Sequence, residues 1–208
     1  MSIEFSPTNT AIVLIGFQND YFRAEGALNS LVDSTGNAQR VMKNTIDLLD
    51  RALVHKMLVV NTPILFSNNY DELVNPCGVM QLIKDKGAFK RNSPGGQVCR
   101  EIGARREIVH LEGKTGFNAF VGTGLNNYLS ERGIYNVVLC GVVTSICVDS
   151  TGRAATEKGF NTTILDNCTG ARSAEEQDFY MEEICPLYST VCNSSDLFSE
   201  KYIGSKVA

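Results

Sequence analysis

Histidine is scarce in this sequence. Only His55 and His110 occur among 208 residues, which limits the general-base and metal chemistry available near neutral pH. The seven cysteines, at positions 77, 99, 140, 147, 168, 185 and 192, are odd in number, and no pair has a C-x-x-C spacing. Neither a disulfide framework nor a zinc site is suggested, and free thiols in a reducing compartment fit better. No uninterrupted apolar run approaches the roughly 20 residues that a membrane helix needs, so no membrane partner is expected. The start, Met1 to Pro7, has neither a basic stretch nor an apolar core, which argues against a secretory signal and for a cytoplasmic location. Basic charge is not concentrated either. The formal net charge is −4, and clusters such as Lys84-Asp85-Lys86 and Arg105-Arg106 read as solvated faces, so a nucleic-acid partner is not expected.

What is present describes an ordinary globular chain. Hydrophobic residues make up 43% and charged residues 20%, and the length suits a single domain over residues 1–208. Thr10 to Phe17 is a continuous apolar run, as a parallel strand buried on both faces requires. Apolar residues from Asn37 to Val54 recur at helical spacing, and Met57 to Asn61 reads as a second strand. The stretch from Ile64 to Gly96 carries Asn, Gly and Pro punctuation around one short helix near Val79 to Lys84. Further strands are expected at Glu107–Leu111, Asn136–Gly141, Asn161–Leu165 and Tyr188–Cys192. Helices are expected at Gly124–Arg132, Thr144–Lys158 and Ser173–Ile184, with a last helical turn from Ser195. This alternation predicts an α/β fold of three α-β-α layers, Rossmann-like, with a six-stranded, mostly parallel sheet in the order 3-2-1-4-5-6.

Ligands in such sheets bind beyond the carboxyl ends of the strands, where the strand order reverses. Asp20 follows the first strand, Lys114 the third and Cys147 the fourth. A carboxylate, an ammonium and a thiol are thus expected at one edge from positions far apart in sequence. Taken singly, each has a plainer explanation: Cys147 as a buried apolar thiol, Asp20 as a turn or helix cap, Lys114 as a surface charge. The remaining six cysteines, His55 and His110 are read as structural.

The runs around these residues resemble the isochorismatase-like cysteine hydrolases, a family that includes nicotinamidases, carbamoylsarcosine and ureidoacrylate amidohydrolases and isochorismatases. Gln18-Asn19-Asp20 is similar to its first motif, Lys114 with Phe117-Asn118-Ala119-Phe120 to its lysine motif, and Gly141-Val142-Val143-Thr144 with Cys147-Val148 to its nucleophile motif. The resemblance runs from about residue 10 to residue 198. One departure is Gly16, where family members often carry an acid; it is expected to alter packing or the pocket.

The resemblance implies a catalytic group of Asp20, Lys114 and Cys147. A free thiol with a pKa of about 8.5 needs a nearby cation or a helix N-terminus to ionise near neutral pH, and Lys114 and the helix from Thr144 would supply them. Asp20 would serve as general base and then general acid around a thioacyl intermediate. The Val142–Val143 peptide is expected to be cis, with the N–H groups of Val143 and Cys147 forming the oxyanion hole.

Metal-dependent members place an Asp-x-His pair after the second strand. Here that place reads Asn61-Thr62-Pro63-Ile64-Leu65-Phe66, so no metal and no cofactor are expected. Cleavage of a carbon–nitrogen bond in a small amide, carbamoyl or lactam substrate is the leading expectation. The alternative is isochorismate vinyl-ether hydrolysis with Asp20 as general acid, and a third reading is a thiol redox or ligand-binding protein. Phe22, Phe117 and Phe120 are candidate pocket walls, Lys90 and Arg91 candidate contacts for an anionic substrate, and a homo-oligomeric dimer or tetramer is implied by the family.

Overall fold

The computed structural model describes residues 6–32 and 36–198. Strand β1 (Thr10–Ile15) is buried along its whole length, as a continuous apolar run between two helical layers must be. It is flanked by β2 (Leu58–Thr62) on one side and β4 (Asn136–Val142) on the other. Beyond these lie β3 (Val109–His110), β5 (Asn161–Gly170) and β6 (Thr190–Cys192), completing a sheet in the order β3-β2-β1-β4-β5-β6. Every ladder in it is parallel.

The two faces of the sheet bury different side chains because strand residues alternate in direction. Ile12, Leu14, Val59, Val138 and Cys140 pack with Val41, Leu48 and Leu49 of α2 (Asn37–Val54). Ala11, Val13, Val60, Val137 and Leu139 pack on the other face with Leu125 and Leu129 of α5 (Leu125–Ser130) and Ala154 and Ala155 of α6 (Asp149–Glu157). The result is three layers with two apolar cores.

Local departures from the expected elements have physical causes. The helical turns of α1 (Asn19–Phe22) and α4 (Arg100–Gly103) are too short to show a period in sequence. Helix α3 spans Gly78–Lys86, one residue earlier and two later than its apolar spacing suggests. Strand β3 shrinks to two residues because it pairs only with β2. Strand β5 instead runs on to Gly170: its pairing with β4 shifts from Leu139↔Ile164 to Gly141↔Thr169, so extra β5 residues bulge and pairing resumes beyond them. The helix after β4 opens with a wide π-helical turn over Thr144–Val148 before α6 begins. At the other end, α7 (Ala174–Phe179) is capped by Ser173, whose hydroxyl accepts the Glu176 N–H, and then widens into a π turn over Tyr180–Ile184.

Strand order reverses between β1 and β4, and there the two backbones nearly touch. A Cβ on Gly141 would lie 1.8 Å from the Ile15 carbonyl oxygen. Only glycine permits that approach.

Candidate active site

Cys147 sits in the π-helical turn just beyond β4 and is buried at 4% exposure. The turn is closed by Ile146 and Val148 N–H groups, which donate to the Val143 carbonyl at 3.1 and 3.2 Å. Its first residue is also tied down: the Thr144 hydroxyl donates to Gln177 Oε1 at 2.8 Å, and Gln177 Nε2 donates to Asp166 Oδ1 at 2.9 Å. Gln177, on α7, therefore locks the turn that carries Cys147 to β5. The peptide joining Val142 to Val143, immediately before this turn, is cis.

Lys114 lies past β3, where its backbone bridges Ile64 and its carbonyl accepts the Leu65 N–H at 3.1 Å. Ile64 is itself gripped by Gln18, whose amide accepts the Ile64 N–H at 2.9 Å and donates to the Ile64 carbonyl at 2.8 Å. The chain beyond β1 thus holds the segment beyond β2, which in turn holds Lys114. The lysine is only 1% exposed, and its Nζ has no hydrogen-bond partner among the described residues. A buried ammonium in that state is costly and calls for an anion.

That anion is not Asp20. Its side chain is buried, with Oδ1 accepting the Ala27 N–H at 3.2 Å and Oδ2 the Phe89 N–H at 2.6 Å. The backbone of Gly95 presses on the carboxylate so closely that a Cβ there would lie 2.1 Å from Oδ1. The Asp20 carboxylate ties the 26–28 and 88–97 segments and makes no ion pair with Lys114. Strand order predicted its position near the edge, but the direction of its side chain depends on loops distant in sequence.

Gly16 is likewise closed to any side chain. Its φ is +73°, and a Cβ would meet the Val142 carbonyl oxygen at 2.6 Å and the Tyr21 ring at 3.4 Å. Tyr21 fills that region, buried and tilted against Phe89 at 4.9 Å. Burial above all, then the nearby Cys147 and Asp20, pushes its phenol well above the ordinary value. Sequence reasoning passed over Gln18, Tyr21 and Gln177. The first two lie in the Asp20 motif and were open to notice; Gln177 carries no local signal.

The candidate pocket aromatics separate. Phe117 packs against the core face that includes Cys147. Phe120 is buried within that same core and stacks on Phe160 at 5.8 Å, next to the amino end of β5. Phe22 stacks on Phe17 at 5.1 Å and lines a groove of about 420 Å³ along α2 with Ala38, Met42 and Ile46. Arg91 is paired with Glu112, and Lys90 lies over the Tyr70 ring at 5.4 Å.

His110 Nδ1 accepts from Asn61 Nδ2, 3.1 Å away, and burial holds the His110 pKa below the ordinary value against the opposing charge of Glu112. Among the described residues, no group of three or more His, Cys, Asp or Glu side chains is arranged to hold a metal ion. None of their helices is long and apolar enough to cross a membrane.

Comparison with known proteins agrees with this architecture. The Isochorismatase domain family matches residues 10–196. YwoC, an uncharacterized isochorismatase family protein of Bacillus subtilis strain 168, is 37% identical over 186 residues, 89% of each chain. The ureidoacrylate amidohydrolase RutB of Agrobacterium fabrum is 26% identical over 179 residues, covering 80% of this chain and 78% of that protein. Among solved structures, a cysteine hydrolase from Pseudomonas syringae pv. phaseolicola 1448A superposes with a TM-score of 0.82 at 18% identity, covering 93% of this chain and 92% of that one; at that identity the likeness concerns the fold.

Proposed function

The chain belongs to the isochorismatase family, and on that premise we propose that it is a cysteine hydrolase cleaving a carbon–nitrogen bond in a small amide, carbamoyl or lactam substrate, with Cys147 as nucleophile. The observation that carries this reading is the buried, unpartnered Lys114 ammonium at the same sheet edge as the buried Cys147. A thiolate at Cys147 is the anion that such a cation stabilises.

In this reading the Cys147 thiolate attacks the acyl carbon, and the Lys114 ammonium gives a proton to the departing nitrogen. Water then hydrolyses the thioacyl bond and reprotonates the lysine. The N–H groups of Val143 and Cys147 are the proposed donors to the oxyanion. Asp20 holds the surrounding loops. Phe117 is the proposed aromatic wall, and the protein is proposed to act as a homo-oligomer, dimer or tetramer, without a metal or other cofactor. The match to an amidohydrolase such as RutB supports the reaction class.

Vinyl-ether hydrolysis of isochorismate would need Asp20 to act as an acid toward substrate, and its two oxygens already accept the Ala27 and Phe89 N–H groups. A panel of small amides, carbamoyl compounds and lactams, with isochorismate included, separates the two. Ammonia or amine release that requires Cys147 and survives Asp20→Asn supports the proposal. Pyruvate release that survives Cys147→Ala and fails in Asp20→Ala overturns it.

A further inference from the structure

Two cysteines of the core on the α2 face, Cys140 and Cys168, stand on the neighbouring strands β4 and β5. The ladder pairs Gly141 of β4 with Thr169 of β5, and Cys140 and Cys168 are the residues immediately before that pair, where the register shifts. Neighbouring strands are about 4.8 Å apart, and disulfides span Cα separations of about 4.4–6.8 Å. Both thiols are free and buried in the same apolar core, on the α2 face of the sheet. Cys147 belongs to the opposite core.

The neighbouring Cys140 thiol is the main cause holding the Cys168 thiol below its ordinary pKa, against the burial that opposes it and with Ser194 adding to the lowering, while burial pushes Cys140 well up. Cys168 is therefore the member with the greater thiolate character, and Cys140 keeps its proton.

We propose that Cys140 and Cys168 form a redox modification site, closing to an intramolecular disulfide when the protein meets a hydroperoxide. The Cys168 sulfur attacks one peroxide oxygen and the O–O bond breaks, leaving Cys168 as a sulfenic acid and releasing water or an alcohol. The Cys140 sulfur then attacks Cys168, the S–S bond forms, and the hydroxyl departs as water with the Cys140 proton. The two thiols lose two electrons in total, and the peroxide gains them. Outside β5 the sheet has only β6, three residues long and half-buried, which pairs with Thr163–Leu165 and stops short of Cys168, and short edge elements open locally at low cost. Cys140 stands two residues before Val142, so the cross-link would form in the strand that leads into the nucleophile turn.

The folded, full-length protein is treated with increasing hydrogen peroxide, quenched, unfolded, alkylated and mapped by mass spectrometry. Cys140 and Cys168 are expected to leave the alkylated set together, in one linked peptide lighter by two hydrogens, both in wild type and in Cys147→Ala. In Cys168→Ser, Cys140 is expected to stay alkylatable. The proposal is overturned if all seven cysteines still alkylate, if Cys168 is found linked to Cys192, if oxidation stops at Cys147, or if Cys140 is lost equally in Cys168→Ser.

Discussion

The Phe89 N–H donates to Asp20 Oδ2 at 2.6 Å, joining the chain just past β1 to a segment nearly 70 residues later. On the other oxygen the Ala27 N–H does the same at 3.2 Å. A carboxylate committed to two backbone donors is a structural tie, and it fixes the loops that surround the carboxyl end of the sheet. Hydrogen bonds to charged groups contribute about 1.5–3 kcal/mol each. Asp20→Ala is therefore expected to lower stability by about 3 kcal/mol or more, read from urea unfolding, and to speed proteolysis within residues 88–97. Unchanged stability with abolished turnover would show instead that Asp20 acts in the chemistry.

Lys114 carries the opposite signature. Its ammonium is buried without a partner, so its charge opposes folding. Lys114→Met is expected to raise stability by about 1–4 kcal/mol, the range seen when buried charges give way to apolar side chains. The same variant should slow alkylation of Cys147 by iodoacetamide at pH 7, because the cation that favours the thiolate is gone. A destabilised Lys114→Met, or one with undiminished Cys147 reactivity, contradicts the role assigned to the lysine.

Gln177 has no expected contact with substrate, yet it holds Thr144 at the start of the turn that carries Cys147. Displacing a reacting group by about 1 Å can cost about 100-fold in rate. Gln177→Leu is expected to reduce kcat by that order while KM changes little. A raised KM at constant kcat would place Gln177 among the substrate contacts.

His110 should make stability depend on pH. Burial depresses its folded pKa below the ordinary value, so the folded state binds fewer protons than the unfolded chain. The stability it contributes is complete above the unfolded value of about 6.5 and is lost as pH falls through the lower folded value. Urea midpoints measured from pH 7.5 down to 5 should therefore fall less steeply in His110→Asn than in wild type. Identical slopes would remove His110 as the cause.

The fold was legible wherever one periodicity ran long enough. Helix α2 has the bounds Asn37–Val54 that its apolar spacing implies, and β1 is buried throughout, as its unbroken apolar run requires. Less legible were features decided by partners. The length of β5 depends on a bulge opposite Leu139 and Gly141, and the wide turn carrying Cys147 has no sequence period of its own. The site was read to the same depth. Spacing after strands located Lys114 and Cys147 at the carboxyl edge, but the side-chain direction of Asp20 is set by Ala27, Phe89 and Gly95. The nearness of Cys140 to Cys168 was invisible for the same reason, since it depends on how β4 and β5 meet around the shift in their register.

Trapping the covalent intermediate tests the central claim most directly. Intact-mass spectrometry of an acid-quenched reaction with a turned-over amide should show a mass increase equal to the acyl group, located by peptide mapping on Cys147. The adduct and turnover should both vanish in Cys147→Ala. Product release at an undiminished rate from Cys147→Ala, with no adduct on the wild-type protein, would contradict it.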